Sequence, residues 1–361
     1  MLEPLHTEVA NGPSDIRFIR HFAEAGRAAR PYVAGGRCAL VCDTATAALF
    51  SRDVKAALEA EGLQTALIVI EAGEAAKRFE ILEEVCGKLA AAGIRRDDAV
   101  FALGGGVVGD LAGLAAAVYL RGVPLIMLPT TLLAQVDSAV GGKTAINLEA
   151  GKNLVGAFHQ PALVLIAEEA LQTLPDRELR SGLGEIIKYA AIADAALFKT
   201  LEAIPAGGHT APEILMPIIR RCCAIKAAYV TEDPLDRGAR MALNFGHTVG
   251  HAVEAAAGYG MLSHGAAVAI GMVEAAELGT TLRHTRRGTA ERLRGLIEVC
   301  GLPTAIPREL CGDLLSPLRR DKKMLGGKLH MVFLEAIGKA KIVPTEAEVL
   351  IDWLETAGEG G

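Results

Sequence analysis

Two histidines stand four residues apart in LNFGHTVGHAVE, residues 243–254. The spacing is that of a zinc-protease helix, but the glutamate such a helix carries inside the pair is replaced here by Thr248. Extended backwards, the stretch reads ARMALNFGHTVGHAVEAAAG, with Arg240, Asn244, His247 and His251 at i, i+4, i+7 and i+11. On one continuous helix these four make a single polar stripe, because residues three and four apart share a face. The remaining positions are mostly Met, Ala, Leu, Phe, Val and Gly, so the helix is expected to be buried. A lone histidine there reads as a hydrogen-bonded core residue. Four aligned polar groups read as a site, since buried polar atoms must be satisfied. Gly246 and Gly250 each cost about 1 kcal/mol of helix propensity, which predicts that something approaches this helix closely.

Two further positions join this pattern. In SGLGEIIKYAAIAD, Glu185 and Lys188 lie at i and i+3 on an otherwise apolar helix, with too little polar surface around them for a solvated ion pair. His264 opens another apolar helix in MLSHGAAVAIGM. One carboxylate with two imidazoles makes a three-ligand metal site that keeps coordination positions open, as catalytic zinc sites do. Spacing favours His247 with His251, but the residues alone leave open which two of the three histidines ligate. Lys143, Lys152, Lys226, Lys322 and Lys323 lie beside glycines, asparagines or apolar residues. Together they point to an anionic ligand, most simply a phosphate.

A glycine loop supplies the second chemistry. Gly104, Gly106 and Gly109 in LGGGVVGDLAG follow a strand-like run and open a helix. Glycine lets backbone approach a pyrophosphate, and a helix start offers N–H groups and a positive dipole. The acidic residue expected about 20 positions on is absent, since that region reads LPTTLL. Asp43, closing an earlier run in LVCDTAT, is the alternative holder of an adenosine ribose. The expectation is a dinucleotide in a variant of the common fold.

These residues need a frame. CALVCD, QTALIVIE, DAVFALGG and VPLIMLP read as strands, the last two apolar enough for a buried parallel sheet. TATAALFSRDVKAALEAEG and KRFEILEEVCGKLAAAG between them carry helical periodicity. The alternation predicts an α/β, Rossmann-like nucleotide-binding domain with a parallel sheet over 1–175. After Leu174-Pro175-Asp176 the rhythm becomes long helical stretches, predicting a mainly α-helical domain over 176–361, with a strand pair at KLHMVFL and AKIVP. A chain of 361 residues, 51% hydrophobic, is long enough for two cores. Its 37 Lys plus Arg against 43 Asp plus Glu give −6, a poor balance for sequence-independent nucleic-acid binding. No signal peptide or membrane span is legible, because the longest apolar zone is broken by Arg121, Pro124 and Pro129. Seven cysteines without a framework predict reduced thiols and a cytoplasmic location.

Taken together, GGGVVGDLAG, YLRGVPLIMLPTTLLAQVDSAVGGKTAIN, GKNLVGAFHQP, GEIIKYA, LNFGHTVGHAVE and RDKK resemble the 3-dehydroquinate synthase family of sugar phosphate cyclases. The motifs run in order through most of residues 74–335. The resemblance implies an enzyme using NAD and a divalent metal, zinc or cobalt, to turn a heptulosonate phosphate into 3-dehydroquinate and phosphate. It implies transient oxidation, phosphate elimination, reduction, ring opening and aldol closure, without net turnover of NAD.

The resemblance also assigns residues. It implies Glu185, His247 and His264 as metal ligands, with His251 turned to the substrate phosphate. Around NAD it implies Glu74, Lys77, Asp110, Thr130, Thr131 and Lys143; the residue reading places Asp43 and the loop Gly104, Gly105, Gly106, Val107 and Val108 there too, and Asp137 and Lys152 are expected beside them. For phosphate it implies Lys152, Asn153, Asn244, His251 and Lys323, with Lys322 the weaker alternative. For the substrate carboxylate it implies Arg240 and Lys226; for hydroxyls beside the metal, Asp137 and Lys188. It implies a homodimer in which Arg121 reaches the neighbour's phosphate. One departure is visible: where family members often carry HGEAVA, this chain has Ala266, which is not a ligand position.

Overall fold

The computed structural model describes residues 2–9, 12–207, 211–258, 261–310, 314 and 328–359. Lys322 and Lys323 lie outside the described residues. The chain divides into two compact units, one of Met1–Pro175 with Ile219–Leu235 and one of Asp176–Ile218 with Asp236–Gly361.

The first unit is built on a seven-stranded sheet. Its strands are β1 (Leu5–Val9), β2 (Gly12–Ile19), β3 (Arg37–Asp43), β4 (Gln64–Ile70), β5 (Ala99–Gly104), β6 (Leu125–Pro129) and β9 (Leu163–Ala167). The order is β1-β2-β9-β6-β5-β3-β4, parallel throughout except for the antiparallel pair β1–β2 at one edge. Every residue of β5, β6 and β9 is buried, as continuous apolar runs in a parallel sheet require. The parallel sheet and the four strands read from sequence are therefore present. The edge pair, β9 and a small hairpin of β7 (Lys143–Leu148) and β8 (Gly151–Phe158) add to them.

From β3 the chain goes to β4 on one side and then returns to β5 on the other. That reversal leaves a crevice at the carboxyl ends of β3 and β5, where open α/β sheets bind ligands. Asp43 ends β3 and Gly104 ends β5. The helix Gly106–Val118 starts directly from that edge and is buried over most of its length.

In the second unit the helix His264–Thr281 is buried from Gly265 to Ala276, the pattern of a helix surrounded by protein. Against it pack Asp176–Ala193 and His247–Ala257. The hairpin of β10 (Lys328–Ala336) and β11 (Lys339–Glu346), which the sequence predicts, and the C-terminal helix Ala347–Glu359 complete this unit.

The helix predicted through Arg240, Asn244, His247 and His251 is not continuous. Ala239–Asn244 forms a 3-10 turn, Phe245 is extended, and Gly246 takes φ 80° before His247–Ala257 begins. The cause is a close approach. A Cβ on Gly246 would lie 2.7 Å from the Val268 carbonyl oxygen, and one on Gly271 would lie 2.0 Å from that of Gly246. The backbones touch where a straight helix would hold them apart.

Gly271→Ala therefore forces backbone against backbone and should cost about 1–3 kcal/mol, the usual scale of overpacking. Gly87→Ala, with nothing within 4 Å of its Cβ, should instead stabilise its exposed helix by roughly 0.5–1 kcal/mol. Urea-unfolding midpoints compare the two, and equal midpoints would contradict the packing described.

Candidate functional site

Glu185 sits in the middle of Asp176–Ala193 and is completely buried. A carboxylate there is tolerable only with partners. Lys188, one turn on and equally buried, forms a short ion pair with its Oε2. Oε1 faces two imidazoles, with His247 Nε2 at 3.7 Å and His264 Nε2 at 3.4 Å. These separations are long for hydrogen bonds. They match the edge of a tetrahedron, since ligand bonds of ~2.1 Å place neighbouring donor atoms about 3.4 Å apart.

The far side of each ring is anchored. His247 Nδ1 lies 3.2 Å from the Phe245 carbonyl oxygen, and His264 Nδ1 lies 3.1 Å from Glu254 Oε2. An imidazole held through Nδ1 presents Nε2 to a metal, and such outer partners set tautomer and ring angle. Burial, reinforced by the positive Lys188, pushes His247 down to about 3, so that ring is neutral and offers a lone pair. Burial also opposes charge on His264, but the carboxylates of Glu185 and Glu254 beside it outweigh that and raise it to about 10.

Among the described residues, two groups have ligand spacing: Glu185 with His247 and His264, and His251 with Glu254 and His264. The first uses the buried carboxylate and leaves both Nδ1 anchors intact. The second would take Glu254 away from His264. The sequence left the histidine pair open, and spacing alone pointed to His247 with His251; geometry favours His247 with His264. The His251 ring is nearby, with its centroid 5.3 Å from that of His247. Glu254 was missed by the sequence reading, although it continues the 247, 251 face at i+7. Arg240 is only 2% exposed, in the 3-10 turn that also carries Asn244. Ala266 lies beyond the cluster and receives the Ser263 helix cap.

In the first unit the glycine loop occupies the crevice edge. Gly105 caps the helix in an extended conformation, and a Cβ there would meet Thr131 Cγ2 at 3.1 Å. Thr130 donates its N–H to the Gly104 carbonyl. Asp43 Oδ1 accepts from both the N–H and the hydroxyl of Thr46 at 2.7 Å, and that hydroxyl also reaches the Leu103 carbonyl. This links the ends of β3 and β5.

Beside the loop, buried Lys77 is held between Asp110 Oδ2 at 2.6 Å and Asn153 Oδ1 at 2.5 Å. Burial raises Asp110, and Lys77 opposes that rise. Asn147 ties the group together, donating to Glu74 Oε1 and accepting from the Asn153 N–H. It was missed by the sequence reading, although it ends the VGGKTAIN motif. Asn153 adopts φ 57°, which Asn tolerates better than most residues.

Lys226 is buried, with Nζ 2.6 Å from the Asp137 carbonyl oxygen and 2.5 Å from its Oδ1. Its charge is thus balanced within the chain by the Asp137 carboxylate. Lys143 is exposed and Lys152 half-buried, on the β7–β8 hairpin. Arg121 is exposed in a loop where Leu120, Arg121 and Gly122 all have positive φ.

Comparison with known proteins fits this geometry. Residues 67–181 match the family model described as 3-dehydroquinate synthase N-terminal, and residues 182–324 the one described as 3-dehydroquinate synthase C-terminal. A 3-dehydroquinate synthase of Xanthomonas oryzae pv. oryzae is 47% identical over 338 residues, 91% of each chain. That of Acidithiobacillus ferrooxidans is 46% identical over 313 residues, 86% of each. Among solved structures, the 2-epi-5-epi-valiolone synthase of Streptomyces hygroscopicus subsp. jinggangensis, with NAD+ and Zn2+ bound, is 30% identical at TM-score 0.87 and 98% coverage of both chains. A 2-deoxy-scyllo-inosose synthase complexed with carbaglucose-6-phosphate, NAD+ and Co2+ shares the fold at TM-score 0.87 and 24% identity, covering 98% of this chain and 99% of its own.

His247→Ala should lose bound zinc on dialysis, whereas His251→Ala should retain it. Glu254→Gln should weaken retention by roughly 10- to 100-fold, the scale of an outer-partner loss. Elemental analysis reads all three, and equal loss in both histidine variants would favour the alternative group.

Proposed function

The chain belongs to the 3-dehydroquinate synthase family, and on that premise we propose that it converts 3-deoxy-D-arabino-heptulosonate 7-phosphate to 3-dehydroquinate and phosphate. In this reading it is a carbon–oxygen lyase dependent on NAD and on zinc or cobalt, working in the cytoplasm. The observation that carries it is the donor set of buried Glu185 with His247 and His264, whose Nε2 atoms lie 3.7 and 3.4 Å from Glu185 Oε1. When bound, the ion would acidify substrate hydroxyls, and NAD would take a hydride and return it.

The chain's own residues hold and orient. We read the first unit as the NAD-binding domain and the second as the metal- and substrate-binding domain. Gly104 to Val108 bring backbone and a helix start to the pyrophosphate. Asp43 uses Oδ1 on Thr46, leaving Oδ2 for a ribose hydroxyl. Glu74, Lys77, Asp110, Thr130, Thr131, Asp137, Lys143 and Lys152 are assigned to the surroundings of NAD. Lys77 is suited to that task because Asp110 and Asn153 fix its ammonium in place.

For the substrate phosphate we assign Lys152, Asn153, Asn244 and His251, as the family resemblance implies. Asn153 spends its Oδ1 on Lys77 and so keeps its Nδ2 donors for an anion. Lys323 completes the assignment from outside the described residues. Lys188 neutralises Glu185 while positioning a hydroxyl beside the ion. Asp137, paired with Lys226, is likewise assigned to a substrate hydroxyl on the family resemblance. No side chain is assigned as base for the elimination; the substrate's phosphate takes the neighbouring C6 proton. The carboxylate goes to Arg240, with Lys226 in a lesser role because Asp137 already occupies it. A buried guanidinium can hold both carboxylate oxygens, and this group separates the proposed substrate from those of the inosose and valiolone cyclases.

We also assign a homodimer in which Arg121 reaches the partner's substrate phosphate. Non-glycine residues at positive φ cost energy, of order 1–3 kcal/mol, and Leu120 and Arg121 are two in succession. A loop kept in that shape suits a presented side chain.

Purified protein should release phosphate from the heptulosonate phosphate over many turnovers with substoichiometric NAD, and reduced nicotinamide should not accumulate. One reduced nicotinamide per turnover would mark a dehydrogenase instead. For Arg121, the test is complementation. Arg121→Ala and Lys152→Ala should each be nearly inactive, and their random mixture should recover roughly a quarter of wild-type activity, because half the dimers are hetero with one intact site each. No recovery after mixing verified by mass spectrometry would confine Arg121 to its own subunit.

A further inference from the structure

The second unit contains a cleft of about 760 Å3 whose lining includes none of the residues assigned above, within the range of small-molecule sites. Arg283, Arg286, Arg287, Lys339 and Lys341 line it, against one carboxylate, Glu335. Lys339 pairs with that carboxylate at 2.6 Å. Among the described residues, no carboxylate pairs with the side chains of Arg283, Arg286, Arg287 or Lys341. Four such cations on one cleft repel one another, in a chain whose overall charge is −6.

The walls are built to hold this arrangement. Residues 283–287 connect His264–Thr281 to Thr289–Val299, and Arg283 turns the chain at φ 60°. The N–H groups of His284 and Thr285 both donate to the Gly279 carbonyl, at 2.7 and 2.9 Å. The Arg286 N–H donates to the Glu335 carbonyl, fastening the turn to the end of the β10–β11 hairpin. The His284 ring packs on Phe333, with centroids 5.2 Å apart. Buried Thr285 leaves its hydroxyl without a partner in this wall. Cations from two segments about fifty residues apart therefore converge on a fixed backbone.

We propose that this cleft binds a small oligophosphate. Guanidinium groups are planar, always charged and able to grip two phosphate oxygens each. Several of them with a lysine match an anion carrying more than one phosphate better than a single carboxylate or sulfate. The site is separate from the one assigned to substrate phosphate, and its occupancy is independent of turnover.

The test is calorimetric titration of the whole protein with inorganic pyrophosphate at low salt. Wild type should show a pyrophosphate site that Arg286→Ser/Arg287→Ser weakens at least tenfold, and Lys341→Ser should weaken the same site. Phosphate release from the heptulosonate phosphate should stay unchanged in these variants. Arg52→Ser/Arg95→Ser removes two exposed arginines elsewhere and should leave the isotherm as in wild type. Identical isotherms for wild type and the cleft variants would overturn the proposal. So would an equal loss in the Arg52/Arg95 control, which would reduce the binding to net charge. Circular dichroism confirms that each exposed-residue variant remains folded.

Discussion

The metal cluster depends on helices that touch backbone to backbone. A Cβ on Gly184 would lie 2.6 Å from the Gly265 carbonyl oxygen, and one on Gly265 would lie 1.9 Å from that of Ser181. Gly246 meets Val268, and Gly271 meets Gly246 in return. Each proposed ligand is the chain neighbour of one of these contacts: Glu185 follows Gly184, His264 precedes Gly265, and His247 follows Gly246. Removing side chains at the crossings lets three short side chains from separate segments reach one point. The helix propensity lost at Gly184 and Gly271, about 1 kcal/mol each, is offset by burial of the apolar surface on either side.

Such packing encloses charge, and the charge must be answered locally. Lys188 meets Glu185, Glu254 meets His264, and burial keeps His247 neutral. Breaking a buried pair by removing one partner costs about 3–5 kcal/mol, so these groups hold one another in place. The first unit solves the same problem with Lys77 between Asp110 and Asn153, and with Lys226 on Asp137. Ammonium groups fixed this way are preorganised, and binding an anion then costs them little rotamer freedom.

Much of this was legible in the sequence because it is periodic. Strands β3 to β6 read as apolar runs, and Glu185, Lys188 and His264 stand out as polar residues in apolar helices. The antiparallel pair β1–β2 was not legible, since GPSDIRFI of β2 mixes polar and apolar residues, and the β7–β8 hairpin carries glycines and lysines. The stripe through Arg240 and His247 was only half right. Its spacing assumed one helix, whereas a tertiary contact at Gly246 breaks it. The choice among three histidines rests on which ring nitrogen is anchored, a fact of packing that spacing cannot carry. Lys226 taught the same lesson, because its partner Asp137 is 89 residues away.

The central claim is that Glu185, His247 and His264 hold the ion. Crystals of the cobalt-loaded protein, with anomalous data on either side of the cobalt absorption edge, test it most directly. The account predicts one strong peak about 2.0–2.2 Å from a Glu185 oxygen and from Nε2 of both His247 and His264. A peak bound instead by His251 and Glu254, with Glu185 left on Lys188 alone, would contradict it.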